Sequence, residues 1–205
     1  MTEPDDLDRR HTEKMKARKA ARDKIMAGKT VEKGLLIVHT GPGKGKTTAA
    51  MGMALRIVGH GGRVGIIQFI KGSGNWDTAE RRALESFGSQ VDFRIMGEGF
   101  TWETQDRSRD IAACKTAWDL AKTWILDSDF SMVVLDELNI ALRHNYLDLA
   151  DVLETFSHRP DDLHVVVTGR NAPEGLMEAA DLVTEMTMVK HPFRAGVKAQ
   201  AGIEF

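Results

Sequence analysis

The stretch "HTGPGKGKTTAA", residues 39–50, restricts the fold of this chain more than any other, because it places alternate glycines and then Lys-Thr-Thr directly after an apolar run. A loop of this kind is useful only between a strand that delivers it and a helix that receives it, so that backbone N–H groups converge on an anion at the helix start. The spacing is shifted from the usual phosphate-binding loop, in which Gly, four residues and Gly-Lys-Ser/Thr follow in order. Counting back from Gly45, Lys46 and Thr47 puts Thr40 where the first glycine should stand, with Gly41 one place late. Gly41, Gly43 and Gly45 are expected to direct N–H groups at phosphate, Lys46 to supply a point charge, and the Thr47 hydroxyl to ligate Mg²⁺.

The rest of the chain suits such a unit. From residue 34 onward, β-branched and apolar runs alternate with helical stretches. Residues 35–40, 63–70, 91–96, 131–137, 164–169 and 181–189 read as strands. Several are apolar without a break, as strands covered on both faces should be. Residues 47–58, 78–87, 105–126, 147–157 and 173–180 read as helices. The expected fold class is α/β: a P-loop NTPase (RecA-like) three-layer fold with an open, mainly parallel sheet of about six strands. Ligands then belong at the carboxyl ends of the strands.

With 205 residues, 42% of them hydrophobic, and a formal charge of −2, the chain is long enough for one well-buried domain. It shows no leader pattern and no apolar run near the roughly 20 residues that span a bilayer, so a cytoplasmic protein without membrane contact is expected. Cys114 is the only cysteine, which excludes an internal disulfide and leaves oxygen and histidine as the ligands for any metal. Residues 1–33 differ from the remainder. They carry ten Lys/Arg against seven Asp/Glu with few large apolar side chains, and read as a charged arm, partly helical or disordered, ahead of a catalytic domain over residues 34–205. The arm is either a solvated extension or a segment that docks on a partner subunit or over an active site. Nucleic acid is not an expected partner, because acids are mixed among the basic residues and no aromatics are interleaved.

Two further segments carry chemistry. "VVLDEL" ends a strand in Asp136-Glu137, an acidic pair that alone could cap a helix and that beside a phosphate loop would face its metal. "MGEGFTWETQDRSRD", residues 96–110, sets Phe100 and Trp102 among glycines and charges, where they are either core anchors or ligand contacts. Together with the closing "VKHPFRAGVKAQAGIEF", these motifs closely resemble the ATP:corrinoid adenosyltransferase family over residues 34–205.

The resemblance implies transfer of the 5′-deoxyadenosyl group of ATP to Co(I) of a corrinoid (cobalamin, cobinamide or cobyrinic acid a,c-diamide) in adenosylcobalamin biosynthesis, with release of inorganic triphosphate. Family members share the shifted loop and bind ATP in reverse, so that the loop holds the terminal phosphate and the 5′ carbon is exposed. By this resemblance Gly41, Pro42, Gly43, Lys44, Gly45, Lys46, Thr47 and Thr48 form the cradle, and Thr47 and Glu137 hold Mg²⁺. Phe100 and Trp102 match the pair that displaces the lower axial ligand of cobalt, and His191 and Phe193 match a motif near the nucleotide. The family also implies a reduced flavin or flavoprotein as electron donor, and a homodimer.

The remaining residues point less sharply. Ile111, Cys114, Trp118, Ala121 and Ile125 fall three and four apart, so Cys114 is expected to be a buried small hydrophobe. Arg170, after the fifth strand, is either a substrate contact or solvent-exposed, and His39 is expected to be packed. A RecA-like ATPase or small-molecule phosphotransferase would use the same loop and release ADP, and a nucleotide-dependent binding protein would leave ATP unchanged.

Overall fold

The computed structural model describes residues 4–69, 79–96, 107–126 and 129–203, and divides into two units, Met1–Glu32 and Lys33–Phe205. In the first unit, Pro4–Ala27 forms one helix, α1. Its interior lacks Gly and Pro and is rich in Ala, Lys and Arg, all good helix formers. Asp6 pairs with Arg9 at 3.6 Å and with Arg10 at 3.2 Å. Leu7, Met15 and Ile25 are exposed, as a sparse stripe that cannot close a core by itself should be.

In the second unit, β1 (Leu36–Thr40), β2 (Val64–Gln68), β3 (Val91–Ile95), β4 (Met132–Asp136), β5 (His164–Thr168) and β6 (Leu182–Glu185) form one sheet in the order β3-β2-β4-β5-β1-β6. Every pairing is parallel. The helices are α2 (Lys46–Gly59), α3 (Ala79–Glu85), α4 (Arg107–Leu126), α5 (Leu138–Arg143), α6 (Leu149–Ser157) and α7 (Glu174–Ala179). No helix among the described residues is long and apolar enough to cross a membrane.

Strand periodicity divides the core in two. Leu36, Val38, Ile67, Val133, Leu135, Val165 and Val167 face α4, α5, α6 and α7, while Ile37, Ile66, Val134 and Val166 face α2 and α3. Because both faces of β1, β2, β4 and β5 are covered, these strands read as largely apolar runs, and each fully buried Val, Leu or Ile contributes about 1.5–3 kcal/mol. On α4 the buried face is Cys114, Ala117, Trp118, Ala121, Trp124 and Ile125. Burial pushes the Cys114 thiol up to about 12, so it packs as a hydrophobe.

Two elements differ from the sequence reading. The sixth strand stops at Glu185, because Met186 and Thr187 turn to lie against the glycine loop. A short helix, α5, follows Asp136-Glu137 directly, where the sequence suggests only a strand end.

The topology decides where chemistry can occur. β5 lies between β1, which carries the glycine loop, and β4, which carries the acidic pair. All strands being parallel, the carboxyl ends of β1, β2, β4 and β5 open on the same edge.

Candidate active site

β1 ends at Thr40, and the chain turns through Gly41 (φ +94°) and Gly45 (φ +99°), a left-handed conformation that side chains with a Cβ rarely adopt. At Gly41 a Cβ would also stand 2.5 Å from the Met186 carbonyl oxygen; at Gly43 it would stand 2.7 Å from the carbonyl oxygens of Met186 and Thr187. The backbone just past β6 therefore presses on the loop, and only glycine fits between them. Gly43 N–H donates to Met186 O at 2.6 Å, so this amide holds the loop to the backbone just past β6 instead of pointing at phosphate, which corrects the expectation for that residue. Gly45 ends the loop, and α2 begins at Lys46.

The Lys46 ammonium is buried within its own loop, donating to Gly41 O at 2.9 Å and Gly43 O at 2.5 Å. Burial lowers its pKa, while Glu137 and Asp136 oppose that shift and Arg170 adds to it. Pro42, Lys44 and Thr48 are on the exposed side of the cradle.

Asp136 closes β4 and is buried. It accepts hydrogen bonds from Thr47 Oγ1 at 2.8 Å, Thr168 Oγ1 at 2.6 Å and Gln68 Nε2 at 2.9 Å. Three strand ends and the first turn of α2 therefore meet on one carboxylate. Glu137 follows in a left-handed conformation (φ 63°), its N–H donating to Thr168 Oγ1 at 3.0 Å. Its Oε2 is buried with no hydrogen-bond partner. Burial, and secondarily the Asp136 charge, push the Glu137 carboxyl up to about 7, against the pull of Lys46 and Arg170. A carboxyl group held in this way is costly to ionise unless a cation comes to it.

The geometry thus brings together Lys46, Thr47, Asp136 and Glu137, and makes Asp136 rather than Glu137 the partner of Thr47. Phe100 and Trp102 lie outside the described residues. His191 Nδ1 accepts from Phe193 N at 3.1 Å, and their rings meet edge to face at 6.5 Å. Phe193 is 77% exposed, and among the described residues no hydrogen bond or ring contact joins this pair to the glycine loop. His39 is packed as expected, with neither ring nitrogen partnered.

Gln68 and Thr168 belong to the cluster, yet no motif contains them. Their signal is a polar residue closing an apolar strand, as in "VGIIQ" and "HVVVT", at the end where a parallel sheet holds its ligands.

Residues 32–205 match the family model described as ATP:corrinoid adenosyltransferase BtuR/CobO/CobP. The chain is similar to a corrinoid adenosyltransferase of Sinorhizobium sp, with 56% identity over 97% of this chain and 92% of that one. A corrinoid adenosyltransferase of Pseudomonas aeruginosa is 52% identical over the whole of both chains, and one of Escherichia coli K12 is 46% identical over 97% of this chain and 99% of its own.

Proposed function

The chain belongs to the ATP:corrinoid adenosyltransferase family, and from that premise we propose how its residues carry out the reaction. It is an enzyme that adenosylates corrinoids in cobalamin biosynthesis, with ATP as cosubstrate. In our reading the Co(I) electron pair attacks the 5′ carbon of ribose, the bond from that carbon to oxygen breaks, and the pair leaves on inorganic triphosphate. Cobalt ends formally as Co(III). No proton moves, so no general base is needed.

The observation that carries this reading is the cradle itself: Lys46 buried among the loop carbonyls, with the next residue, Thr47, bonded to Asp136 of the acidic pair. A loop that grips triphosphate stabilises the charge that develops as the bond breaks, and so acts mainly on the transition state. The loop from Gly41 to Thr48 forms the grip, with Lys46 as its cation and the Gly43 amide bracing the loop from behind.

The donor set also fits Mg²⁺. Among the described residues no three His, Cys, Asp or Glu side chains form a metal cage, which suits an ion that takes one or two protein oxygens and completes its shell with phosphate and water. Glu137 offers a buried oxygen without a partner, and Thr47 and Asp136 stand at 2.8 Å from each other. When bound, Mg²⁺ would neutralise part of the triphosphate charge. Thr47 and Glu137 are the proposed ligands, with Asp136 orienting Thr47.

The remaining roles follow the family resemblance. Phe100 and Trp102 would clear the lower face of cobalt, lowering its acceptor orbital so that a reduced flavin or flavoprotein can deliver the electron. His191 and Phe193 would close on the nucleotide. Residues 34–205 would be the catalytic domain and residues 1–33 a charged N-terminal arm, in a cytoplasmic homodimer.

The test mixes the protein with ATP, Mg²⁺ and chemically reduced cobalamin, cobinamide or cobyrinic acid a,c-diamide, and assays phosphate products beside the cobalt–carbon absorption. Inorganic triphosphate in equal amount to the alkylated corrinoid is expected. ADP in its place would sink the reading in favour of phosphoryl transfer.

A further inference from the structure

We infer that Arg170 is a second cation for the triphosphate, built into the loop after β5 and acting beside Lys46 on the departing charge. The inference rests on the adenosyl-transfer reading above.

The local backbone is unusual. Gly169 has φ +128° and Asn171 has φ 55°, so Arg170 stands between two left-handed residues. Asn adopts that conformation at some cost, and such a turn persists where its surroundings fix it. Here both sides are fixed. Asn139 Nδ2, from α5, donates to Gly169 O at 3.0 Å, and Ala172 N donates to Thr40 Oγ1 at 3.0 Å, one residue before the glycine loop. A Cβ at Gly169 would stand 2.8 Å from Asn139 Cβ and 3.2 Å from Glu137 Oε2, so glycine allows this turn to lie directly against the acidic residue.

The side chain at the apex is treated differently from its neighbours. Arg170 is exposed, and among the described residues no carboxylate stands within ion-pair distance of it. The turn that carries it lies against Thr40 and Glu137, and its charge is felt by both Lys46 and Glu137. An exposed guanidinium on a fixed turn beside an anion cradle has an evident ligand class, since the planar fork matches two phosphate oxygens. The chemistry also calls for it. Breaking the bond to the 5′ carbon adds negative charge to a group already strongly anionic, and a preorganised cation that meets this charge lowers the barrier directly.

The experiment compares wild type, Arg170→Ala and Arg170→Lys. Calorimetric titration with inorganic triphosphate and Mg²⁺ should show affinity at least tenfold weaker in R170A and partly restored in R170K. Turnover with pre-reduced Co(I) should fall about 10- to 100-fold in R170A, with partial rescue by added guanidinium, while the melting temperature stays within about 2 °C of wild type. Unchanged triphosphate affinity and unchanged turnover in R170A overturn the inference and leave adenosyl transfer standing. Wild type that releases ADP overturns the proposed reaction, and a weaker triphosphate titration in R170A still supports the arginine contact.

Discussion

The Thr168 hydroxyl donates to Asp136 Oδ1 at 2.6 Å while accepting the Glu137 N–H at 3.0 Å, so one threonine at the end of β5 holds both acidic residues of the neighbouring strand. Thr168→Val keeps the shape and removes both bonds, leaving a buried N–H without an acceptor. We expect a loss of about 1–3 kcal/mol in urea denaturation. Turnover should fall at least about tenfold, because Glu137 then loses its fixed backbone. Thr168→Ser should restore both, and a fully active valine variant would remove the threonine from the site.

Gly43 and Gly52 lie nine residues apart and make opposite claims. Ala at position 43 would drive a Cβ to 2.7 Å from two backbone carbonyl oxygens that cannot swing aside, whereas Ala at position 52 meets nothing within 4 Å on the exposed side of α2. Gly43→Ala should weaken ATP binding by at least about tenfold. Gly52→Ala should stabilise the protein by about 0.5–1 kcal/mol through helix propensity, with activity retained. Thermal melts and ATP titrations of the two variants decide this, and a tolerated Gly43→Ala would mean that the backbone just past β6 is not pressed on the loop.

His39 gives a pH dependence. Burial lowers its pKa below the ordinary 6.5, and neither ring nitrogen has a partner to stabilise a charge. The native state therefore binds this proton less readily than the unfolded chain. The stability it contributes is complete above pH 6.5 and is lost as pH falls through the lowered native value. His39→Phe, which cannot be protonated, should narrow the loss in melting temperature between pH 8 and pH 5 relative to wild type. Parallel pH curves for the two proteins would show that the ring is solvated.

For Phe100 and Trp102, function and packing separate in a ratio. If they clear the lower face of cobalt, alanine at either position should damage turnover from Co(II) with a flavin reductant far more than turnover from Co(I) made beforehand. If they are core anchors, both rates should fall together with a stability loss of about 3–5 kcal/mol. The two assays, read beside a melt, distinguish these outcomes.

The parallel sheet is legible in the sequence because strands buried on both faces leave unbroken apolar runs, as in residues 133–135 and 165–167. The cradle is legible because its glycines, Lys46 and Thr47 are contiguous. The Asp136 cluster is not, since Gln68, Thr168 and Thr47 reach it from three elements separated in sequence by 32 to 89 residues, and a short polar side chain at a strand end carries no periodicity. The early end of β6 escapes for a similar reason. Met186 and Thr187 continue a strand-like pattern, and only the position of the loop beside them shows why they turn.

The bond from Gly43 N to Met186 O spans most of the catalytic unit in sequence, and Met186 N answers it by donating to Thr40 O at 2.9 Å. The first functional loop of this unit is thus braced by the residue just past its last strand. The glycine loop is moulded against backbone that follows β6, far downstream in the sequence, so its shape depends on a segment that carries none of its phosphate-binding residues. A nascent or truncated chain ending before Leu182 carries every residue from Gly41 to Glu137 and has no seat for the loop.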